Sequence, residues 1–357
     1  MSPILGVLSL VLLVSPLPIL GYPTIYESFT SKDPDAIRLF VLGDIGGIPV
    51  LETTVINVGD NFYFTGVKTD TDERFKTRFE DVYKDAALPW YTIAGNHDHF
   101  GSVAAQISYS KKSNLWKFPA PYYSQSFNHG NISVDFLMLD TIDLCGNTAD
   151  VKSGDFVDWA LEGIKKWWKN IFRKKGEAGK QPEGPEDTAR AEQQWEWLRD
   201  TLSTSTADYI FVAGHYPIHS IASHGGTKCL LDRLDPMIKA ANVSAYFAGH
   251  DHALQHIHME GMDYIVSGAA SRSDQSTKNL KSVPNSAVKF RYPKWSIRNI
   301  FSQLGFSDGG FVEMKITKDH ADAFFLNKDG DLKYSTRLWP KGKRPLEGPQ
   351  EEVVIEL

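Results

Sequence analysis

Short apolar segments rich in β-branched residues alternate with longer amphipathic segments along most of the chain. The apolar segments predict strands at 37–42, 53–58, 90–93, 133–139, 209–213, 244–248, 264–267, 311–316 and 321–325. The amphipathic segments predict helices at 73–84, 190–202 and 230–240. Strands that alternate with helices indicate an α/β or layered α+β fold.

Five of the predicted strands end in a glycine followed by polar residues of the kinds that bind metals. The seven candidate ligands in these positions are Asp44, Asp60, Tyr63, Asn96, His215, His250 and His252. A single such residue is usually a turn or capping residue, but seven together are hard to explain in that way. We expect them to converge at one edge of a sheet. Imidazole and oxygen ligands suit iron, zinc or manganese.

The motifs that contain these residues resemble a known family. Gly43-Asp44-Ile45-Gly46-Gly47, Gly59-Asp60-Asn61-Phe62-Tyr63, Gly95-Asn96-His97-Asp98-His99, Gly214-His215-Tyr216-Pro217 and Gly249-His250-Asp251-His252 are similar to the metallophosphoesterase motif series. Gly46 stands where most of that family has His, and Tyr63 stands where it has Asp, which is the pattern of the purple acid phosphatases. The resemblance runs from about Arg38 to about Leu338 and favours the small animal, tartrate-resistant type.

The resemblance implies a calcineurin-like β-sandwich flanked by helices and a role for each motif residue. Asp44, Tyr63 and His252 would hold a ferric ion, and Asp60 would bridge it to a second ion. Asn96, His215 and His250 would hold that divalent ion, which is ferrous iron in the animal enzymes, with zinc or manganese as alternatives. Hydroxide on the ferric ion would attack the phosphate of a monoester. His97 and His224 would position that phosphate and protonate the leaving oxygen. We interpret His99, His219, His256 and His258 as solvated or structural.

The beginning of the chain and its composition indicate an exported protein. The 357 residues are 42% hydrophobic with a net charge of -6, which does not favour nucleic acid as a partner. An apolar run at 4–14 is shorter than the roughly 20 residues of a membrane span, so we interpret 1–21 as a signal peptide; a membrane anchor or a buried helix is the alternative. An exported chain would be secreted or lysosomal.

Two further sequence features agree with export. Cys145 and Cys229 suit one disulfide in an oxidising compartment, and the family resemblance pairs them; two free buried thiols are the alternative. Asn131 and Asn242 each begin a glycosylation sequon.

We predict a phosphoesterase domain at 22–345 and a C-terminal tail at 346–357. Within the domain, two segments depart from the family pattern. Only 45–52 connects the first two strands, although a parallel connection usually needs about a dozen residues, so the first crossover helix is expected to be missing. We expect this loss to reduce stability and to weaken the ferric site. Residues 147–187 are predicted to be an exposed insertion that contains a basic amphipathic helix. We interpret this insertion as a segment that packs on its own domain. A lid that contacts membrane or gates substrate is the less favoured interpretation.

Three functions compete for this set of residues. The leading hypothesis is hydrolysis of phosphomonoesters, with phosphoproteins and nucleotides among the candidate substrates. The same metals could instead hydrolyse phosphodiesters or pyrophosphates. A secreted, non-catalytic metal-binding relative is the third hypothesis, favoured by the short crossover and opposed by the intact His97 and His224.

Overall fold

The computed structural model describes residues 24–28, 35–44, 54–148, 181–296 and 308–344. The predicted signal peptide, the short crossover, the predicted amphipathic helix of the insertion and the 346–357 tail lie outside the described residues. Among the described residues, no helix combines the length and the hydrophobicity that a membrane span requires.

Two packed β-sheets form the centre of the described structure. The strands are β1 Thr24–Ser28, β2 Ile37–Leu42, β3 Thr54–Asn57, β4 Trp90–Thr92, β5 Trp116–Lys117, β6 Tyr123–His129, β7 Ile132–Met138, β8 Tyr209–Ala213, β9 Ala245–Ala248, β10 Leu254–Met259, β11 Met262–Ser267, β12 Val288–Tyr292, β13 Gly310–Ile316, β14 Ala321–Asn327 and β15 Leu332–Leu338. Within the described residues, one sheet has the order β1-β6-β7-β8-β9-β11-β10-β12 and the other has the order β15-β14-β13-β2-β3-β4-β5. The two sheets confirm the predicted layered fold.

The central strands of both sheets run parallel to one another. In one sheet β2 pairs with β3 and β3 pairs with β4, and in the other β8 pairs with β7 and β9, all in parallel. Antiparallel strands lie further out, as in the β10–β11 and β13–β14 pairs. Parallel neighbours place their carboxyl ends at the same edge, which is where the polar motifs of the sequence occur.

Apolar side chains fill the space between the two sheets. Val41 and Ile56 from one sheet belong to the same buried cluster as Phe136, Phe211 and Phe247 from the other. Strands buried in this way consist mostly of continuous apolar residues, as the sequences of β3 and β8 do. The inter-sheet core therefore fixes the relative position of the two strand edges.

Helices cover the other face of the β8–β9 sheet and connect the strands. The helices are α1 Asp81–Tyr83, which continues a π-helical turn at Phe75–Glu80, then α2 Val103–Tyr109, α3 Thr141–Cys145, α4 Thr188–Thr204 and α5 Lys228–Ala240. Trp195 and Leu198 of α4 and Leu234 of α5 join a second buried cluster with Val212 of β8. The helices predicted at 73–84, 190–202 and 230–240 are confirmed, whereas α2 and α3 are too short to have been recognised from periodicity.

A disulfide joins α3 to α5. Cys145 at the end of α3 is bonded to Cys229 in the first turn of α5, with Cα atoms 5.7 Å apart and a sequence separation of 84. Of the two alternatives for the cysteines, the structure has the bridge.

Candidate metal centre

The candidate ligands lie on loops at the carboxyl ends of strands from both sheets. Strands β2, β3 and β4 lead to Asp44, Asp60 and Asn96, whereas β8 and β9 lead to His215 and His250. The expectation of one edge of one sheet was therefore wrong, because the sequence pattern does not show which strands share a sheet. The two edges meet, and Gly249 lies close enough to Asp44 that an added Cβ would be 3.0 Å from Oδ2.

Several residues of these loops have unusual backbone conformations. Asp44, Asp60 and His250 have φ of 60°, 56° and 66°, which lie in the left-handed region that residues other than glycine rarely adopt. Gly95 passes so close to Asp60 that an added Cβ would lie 2.2 Å from Oδ1. Strained conformations of this kind cluster at functional sites, where the surrounding structure holds them in place.

Asp44, Tyr63 and His252 form one group of converging donor atoms. The phenolic oxygen of Tyr63 donates a hydrogen bond to Oδ1 of Asp44 and lies 3.1 Å from Nε2 of His252. The same Nε2 is 3.2 Å from Oδ1 of Asp44. These are the three residues to which the sequence assigned the ferric ion.

Asn96, His215 and His250 form a second group. Oδ1 of Asn96 lies 3.0 Å from Nε2 of His215 and 3.1 Å from Nδ1 of His250. Asp60 lies beside this group, with Oδ1 3.4 Å from Nε2 of His215. The charge of Asp60 also contributes to raising the pKa of Tyr63 in the first group.

The hydrogen bonding of His215 shows that these atoms fit a cation. Nδ1 of His215 lies 2.9 Å from the carbonyl oxygen of Val58, and it must donate to that oxygen. In the neutral imidazole Nε2 then carries a lone pair, and it points at Oδ1 of Asn96 and Oδ1 of Asp60, which are also acceptors. Three lone pairs that face one another repel unless a proton on Nε2 or a metal cation lies between them, so this place accepts positive charge. The donor set of nitrogen and oxygen atoms suits iron, zinc or manganese.

Burial and the neighbouring charges shift several pKa values in this centre. Burial alone would raise the pKa of Asp60, but the charges of His215, His97 and His252 lower it to about 2, so Asp60 is ionised. Burial and repulsion from His224 and His215 lower the pKa of His250 well below its usual value, which leaves its nitrogen unprotonated. Burial and the charge of Asp44 raise the pKa of Tyr63 well above its usual value. Tyr63 would therefore ionise only beside a cation.

The two candidate catalytic histidines lie on opposite sides of the donor groups. Nδ1 of His97 is 2.6 Å from the carbonyl oxygen of Phe64, and Nε2 is 3.9 Å from Oδ2 of Asp60. The ring of His224 lies 4.3 Å from the ring of His250, between centroids. Nδ1 of His224 donates to Oδ1 of Asp251 at 2.9 Å. Both histidines thus have Nδ1 occupied.

Two buried aspartates hold the loops of the centre in place, and the sequence analysis gave neither of them a role. Asp98 accepts hydrogen bonds from the backbone N–H groups of Asn61, Phe62 and Gly95, and so ties together the loops that follow β3 and β4. Asp251 accepts the backbone N–H groups of His224 and Gly225. Both aspartates belong to motifs that the sequence showed, but which backbone groups they bind depends on the folded loops.

Arg272 is a third residue without a predicted role. Its guanidinium carbon lies 4.5 Å from the centroid of the Tyr63 ring and 4.9 Å from that of Phe64. Arg272 follows β11 in a loop with no strand-end motif, so no sequence signal indicated it.

His99 belongs to a separate cluster with Asp140 and Asp143, whose candidate ligand atoms lie within 4.8 Å of one another. Both carboxylate oxygens of Asp140 accept from His99, and one of them also caps α3, while Asp143 pairs with Arg190. These contacts agree with the structural interpretation of His99.

The remaining predicted residues lie away from the centre. His256 is buried between Tyr334 and Asp263, and His258 also contacts Asp263, which agrees with a structural role for both. His219 is buried against the ring of Tyr264. The sequon asparagines Asn131 and Asn242 lie in exposed turns.

Comparison with known proteins identifies relatives over most of the chain. Residues 37–254 match the family model of the calcineurin-like phosphoesterases. The human tartrate-resistant acid phosphatase type 5 is 37% identical over 340 residues, which cover 87% of this chain and 93% of that protein. Purple acid phosphatase 7 of Arabidopsis thaliana is 27% identical over 288 residues, which cover 80% of this chain and 75% of that protein. Among solved structures, GAP50, the anchor in the inner membrane complex of Plasmodium, has a TM-score of 0.63 at 23% identity and covers 88% of this chain and 91% of its own.

Proposed function

The chain belongs to the calcineurin-like phosphoesterases, as a relative of the purple acid phosphatases, and from that premise we propose that it hydrolyses phosphate monoesters in acid at a two-metal centre. The observation that carries the proposal is the convergence of nitrogen and oxygen donor atoms from Asn96, His215 and Asp60 beside the group formed by Asp44, Tyr63 and His252. Such an arrangement is costly in a protein without cations and is well suited to two of them.

The two donor groups would hold different ions. Asp44, Tyr63 and His252 offer a carboxylate, a phenol and an imidazole, a hard set that suits ferric iron. Asn96, His215 and His250 offer an amide and two imidazoles, which suit ferrous iron, zinc or manganese. When bound, the pair of cations neutralises phosphate charge and activates water at acid pH. Asp60 would be the carboxylate shared by both ions.

His97 and His224 would perform the proton transfers and position the phosphate. The contacts of Nδ1 with the carbonyl oxygen of Phe64 and with Asp251 fix the orientation of the two rings beside the donor groups. At acid pH a protonated imidazole can donate a hydrogen bond to a phosphoryl oxygen. It can also give its proton to the leaving oxygen, which would otherwise depart as an alkoxide.

Metal content and activity measured on the same sample test this function. The purified protein should contain two metal ions per chain and release phosphate from p-nitrophenyl phosphate faster in acid than at neutral pH. Asn96→Ala should lose one of the two ions and most of the activity. Asn327→Ala is a matched control, because Asn327 is a buried asparagine at the end of β14 whose amide donates to Asp331, outside the loops of the candidate centre; it should keep both ions. A protein that binds two ions and hydrolyses no phosphate ester would be the non-catalytic relative instead.

We further propose that the protein is exported and acts outside the cytosol or in lysosomes. The disulfide, the exposed sequon asparagines and the apolar run at 4–14 support this location. Expression in a eukaryotic cell should give a secreted or lysosomal product that shifts in mass after glycosidase treatment. An unglycosylated product that stays in the cytosol would contradict the location without affecting the proposed chemistry.

A further inference from the structure

His99 and Asp140 form a pair beside the candidate metal centre and belong to neither of its donor groups. Nε2 of His99 lies 3.0 and 2.9 Å from the two carboxylate oxygens of Asp140, whose side chain is fully buried. Burial would lower the pKa of His99, but the charge and the hydrogen bond of Asp140 raise it. In acid the two side chains therefore form an ion pair.

His99 closes the turn that carries the candidate ligand Asn96. The backbone N–H groups of Asp98 and His99 both donate to the carbonyl oxygen of Gly95, at 3.1 and 3.3 Å. Asn96 lies inside this turn, one residue after Gly95 and three residues before His99. Because these bonds close the turn, a contact that anchors the side chain of His99 also limits the movement of Asn96.

Asp140 is itself held in place by α4 and α3. Its backbone N–H donates to Oε1 of Gln194 at 3.0 Å, and its carbonyl oxygen accepts from Nε2 of the same side chain at 3.1 Å. Oδ1 of Asp140 also accepts the backbone N–H groups of Ile142 and Asp143 in the first turn of α3. Asp140 is thus a fixed point to which His99 attaches the Asn96 turn.

The next residue of the chain holds the loop of a second candidate ligand. Oγ1 of Thr141 accepts the backbone N–H of Tyr216, which follows His215, at 3.0 Å. Gly214, which precedes His215, packs so closely on Thr141 that an added Cβ would lie 2.6 Å from Cγ2. The start of α3 therefore contacts the loops of both Asn96 and His215, which belong to the same donor group.

We propose that His99 and Asp140 are a positioning pair for the second ion, because they hold the loops of Asn96 and His215 at the separation that one ion requires. Residues that orient a metal ligand from outside the coordination sphere commonly set its affinity for the metal. Among the described residues, the hydrogen bonds of Asp140 and Thr141 do not reach the proposed ligands of the ferric ion. The pair should therefore act on the second ion selectively. This inference rests on the proposed two-metal function.

The test counts the two ions separately in the same sample. Metal-free protein receives one equivalent of ferric iron and is titrated with zinc. The bound iron and the dissociation constant of zinc are measured for the wild type, His99→Ala, His99→Gln and Thr141→Val. His256→Ala is a matched control, because His256 is a buried histidine whose Nε2 lies 3.0 Å from Oδ1 of Asp263, outside the loops of the candidate centre. Loss of either histidine leaves a buried carboxylate without its cation and lowers stability, so the control reports the effect of lower stability alone.

His99→Ala should raise the dissociation constant of zinc roughly 10- to 100-fold and keep the bound iron of the wild type. His99→Gln should fall between the two, because its amide can donate a hydrogen bond to Asp140 but carries no charge. Thr141→Val removes the acceptor of the Tyr216 N–H and should also raise the constant, which tests the opposite loop even if His99→Ala does not fold. His256→Ala should bind both ions as the wild type does.

A zinc constant within about twofold of the wild type in every variant that folds would overturn the inference and leave the proposed function standing. An equal loss of iron and zinc would also overturn it, and so would a loss of zinc in His256→Ala as large as in His99→Ala. A wild type that takes up neither ion would refute the proposed function and the inference with it.

Discussion

Replacing Asp251 by Asn should slow the reaction by disturbing His224 without removing any metal ligand. Asp251 is fully buried, and Oδ1 accepts both the backbone N–H and the Nδ1–H of His224, each at 2.9 Å. Oδ2 accepts the N–H of Gly225 at 3.2 Å and the hydroxyl of Ser220. Asparagine has a single carbonyl oxygen, so it can accept from only one of these two pairs.

The size of the effect follows from the bonds that are lost. A hydrogen bond to a charged group contributes about 1.5–3 kcal/mol, so the loss of one such bond on His224 predicts a kcat lowered roughly 10- to 100-fold. The substitution should also lower the free energy of unfolding by about 2 kcal/mol, because an amide N–H would face another N–H in the interior. The readouts are kcat and KM for p-nitrophenyl phosphate, normalised to bound metal because His250 and His252 flank Asp251.

A double-mutant cycle separates positioning of His224 from a general disturbance. If Asp251 acts through His224, the Asp251→Asn substitution should have little further effect on kcat in a His224→Ala background. Ser220→Ala serves as the matched control, since it removes a donor to Asp251 and leaves both His224 bonds; its kcat should fall less than that of Asp251→Asn. Additive losses in the cycle, or a metal-normalised kcat within twofold of the wild type in Asp251→Asn, would refute the reasoning.

Three further predictions concern the metal, the disulfide and acid stability. If Tyr63 binds ferric iron, the protein should absorb visible light and Tyr63→Phe should abolish the band; a colourless wild type with two zinc ions would contradict the iron assignment. Serine at both Cys145 and Cys229 should lower the free energy of unfolding by up to about 4.5 kcal/mol in the chain-entropy model, measured by denaturant titration, and a change under about 1 kcal/mol would contradict it. Burial would raise the pKa of Asp263, but hydrogen bonds from His256 and His258 lower it. The folded state therefore binds fewer protons than the unfolded state in acid. The stabilisation by Asp263 should be complete above about pH 5 and should decline as the pH falls below about 4. Asp263→Asn should therefore lower the free energy of unfolding by about 3 kcal/mol at pH 7 and by less at pH 3. An equal decrease at the two pH values would contradict this prediction.

The convergence of the candidate ligands was predictable because they lie in loops that follow strands. Asp44, Asn96 and His215 come at the carboxyl ends of β2, β4 and β8, and buried strands are easily recognised from apolar runs. Parallel pairing then brings the strand ends together, whatever the details of the connections. The assignment of strands to two sheets was not predictable, because pairing partners distant in sequence leave no mark on local periodicity.

Strands with mixed polar and apolar residues were missed for a related reason. β6 and β15 have the sequences YSQSFNH and LKYSTRL, in which polar residues outnumber apolar ones, and β10 contains two histidines. Most side chains of β6 and β10 are buried by contacts from other elements, as with His256 between Tyr334 and Asp263. Such burial depends on tertiary partners, and propensity alone does not reveal it.

The position of Asp44 relative to Asp60 depends on strand pairing more than on the connection between the strands. β2 and β3 are paired in parallel from Leu39 opposite Thr54 to Leu42 opposite Asn57. The pairing continues past the strands, where Val58 donates to the carbonyl oxygen of Leu42 and Asp44 donates to that of Gly59. These bonds align the two aspartates directly, and the backbone N–H of His250 donates to Oδ2 of Asp44 from the other sheet. A short crossover at 45–52 should therefore act on the free energy of unfolding, through the apolar surface that a helix would cover, more than on where the ligands lie. Because metal affinity also depends on folding, weaker ferric binding would follow from that lower stability rather than from misplaced ligands.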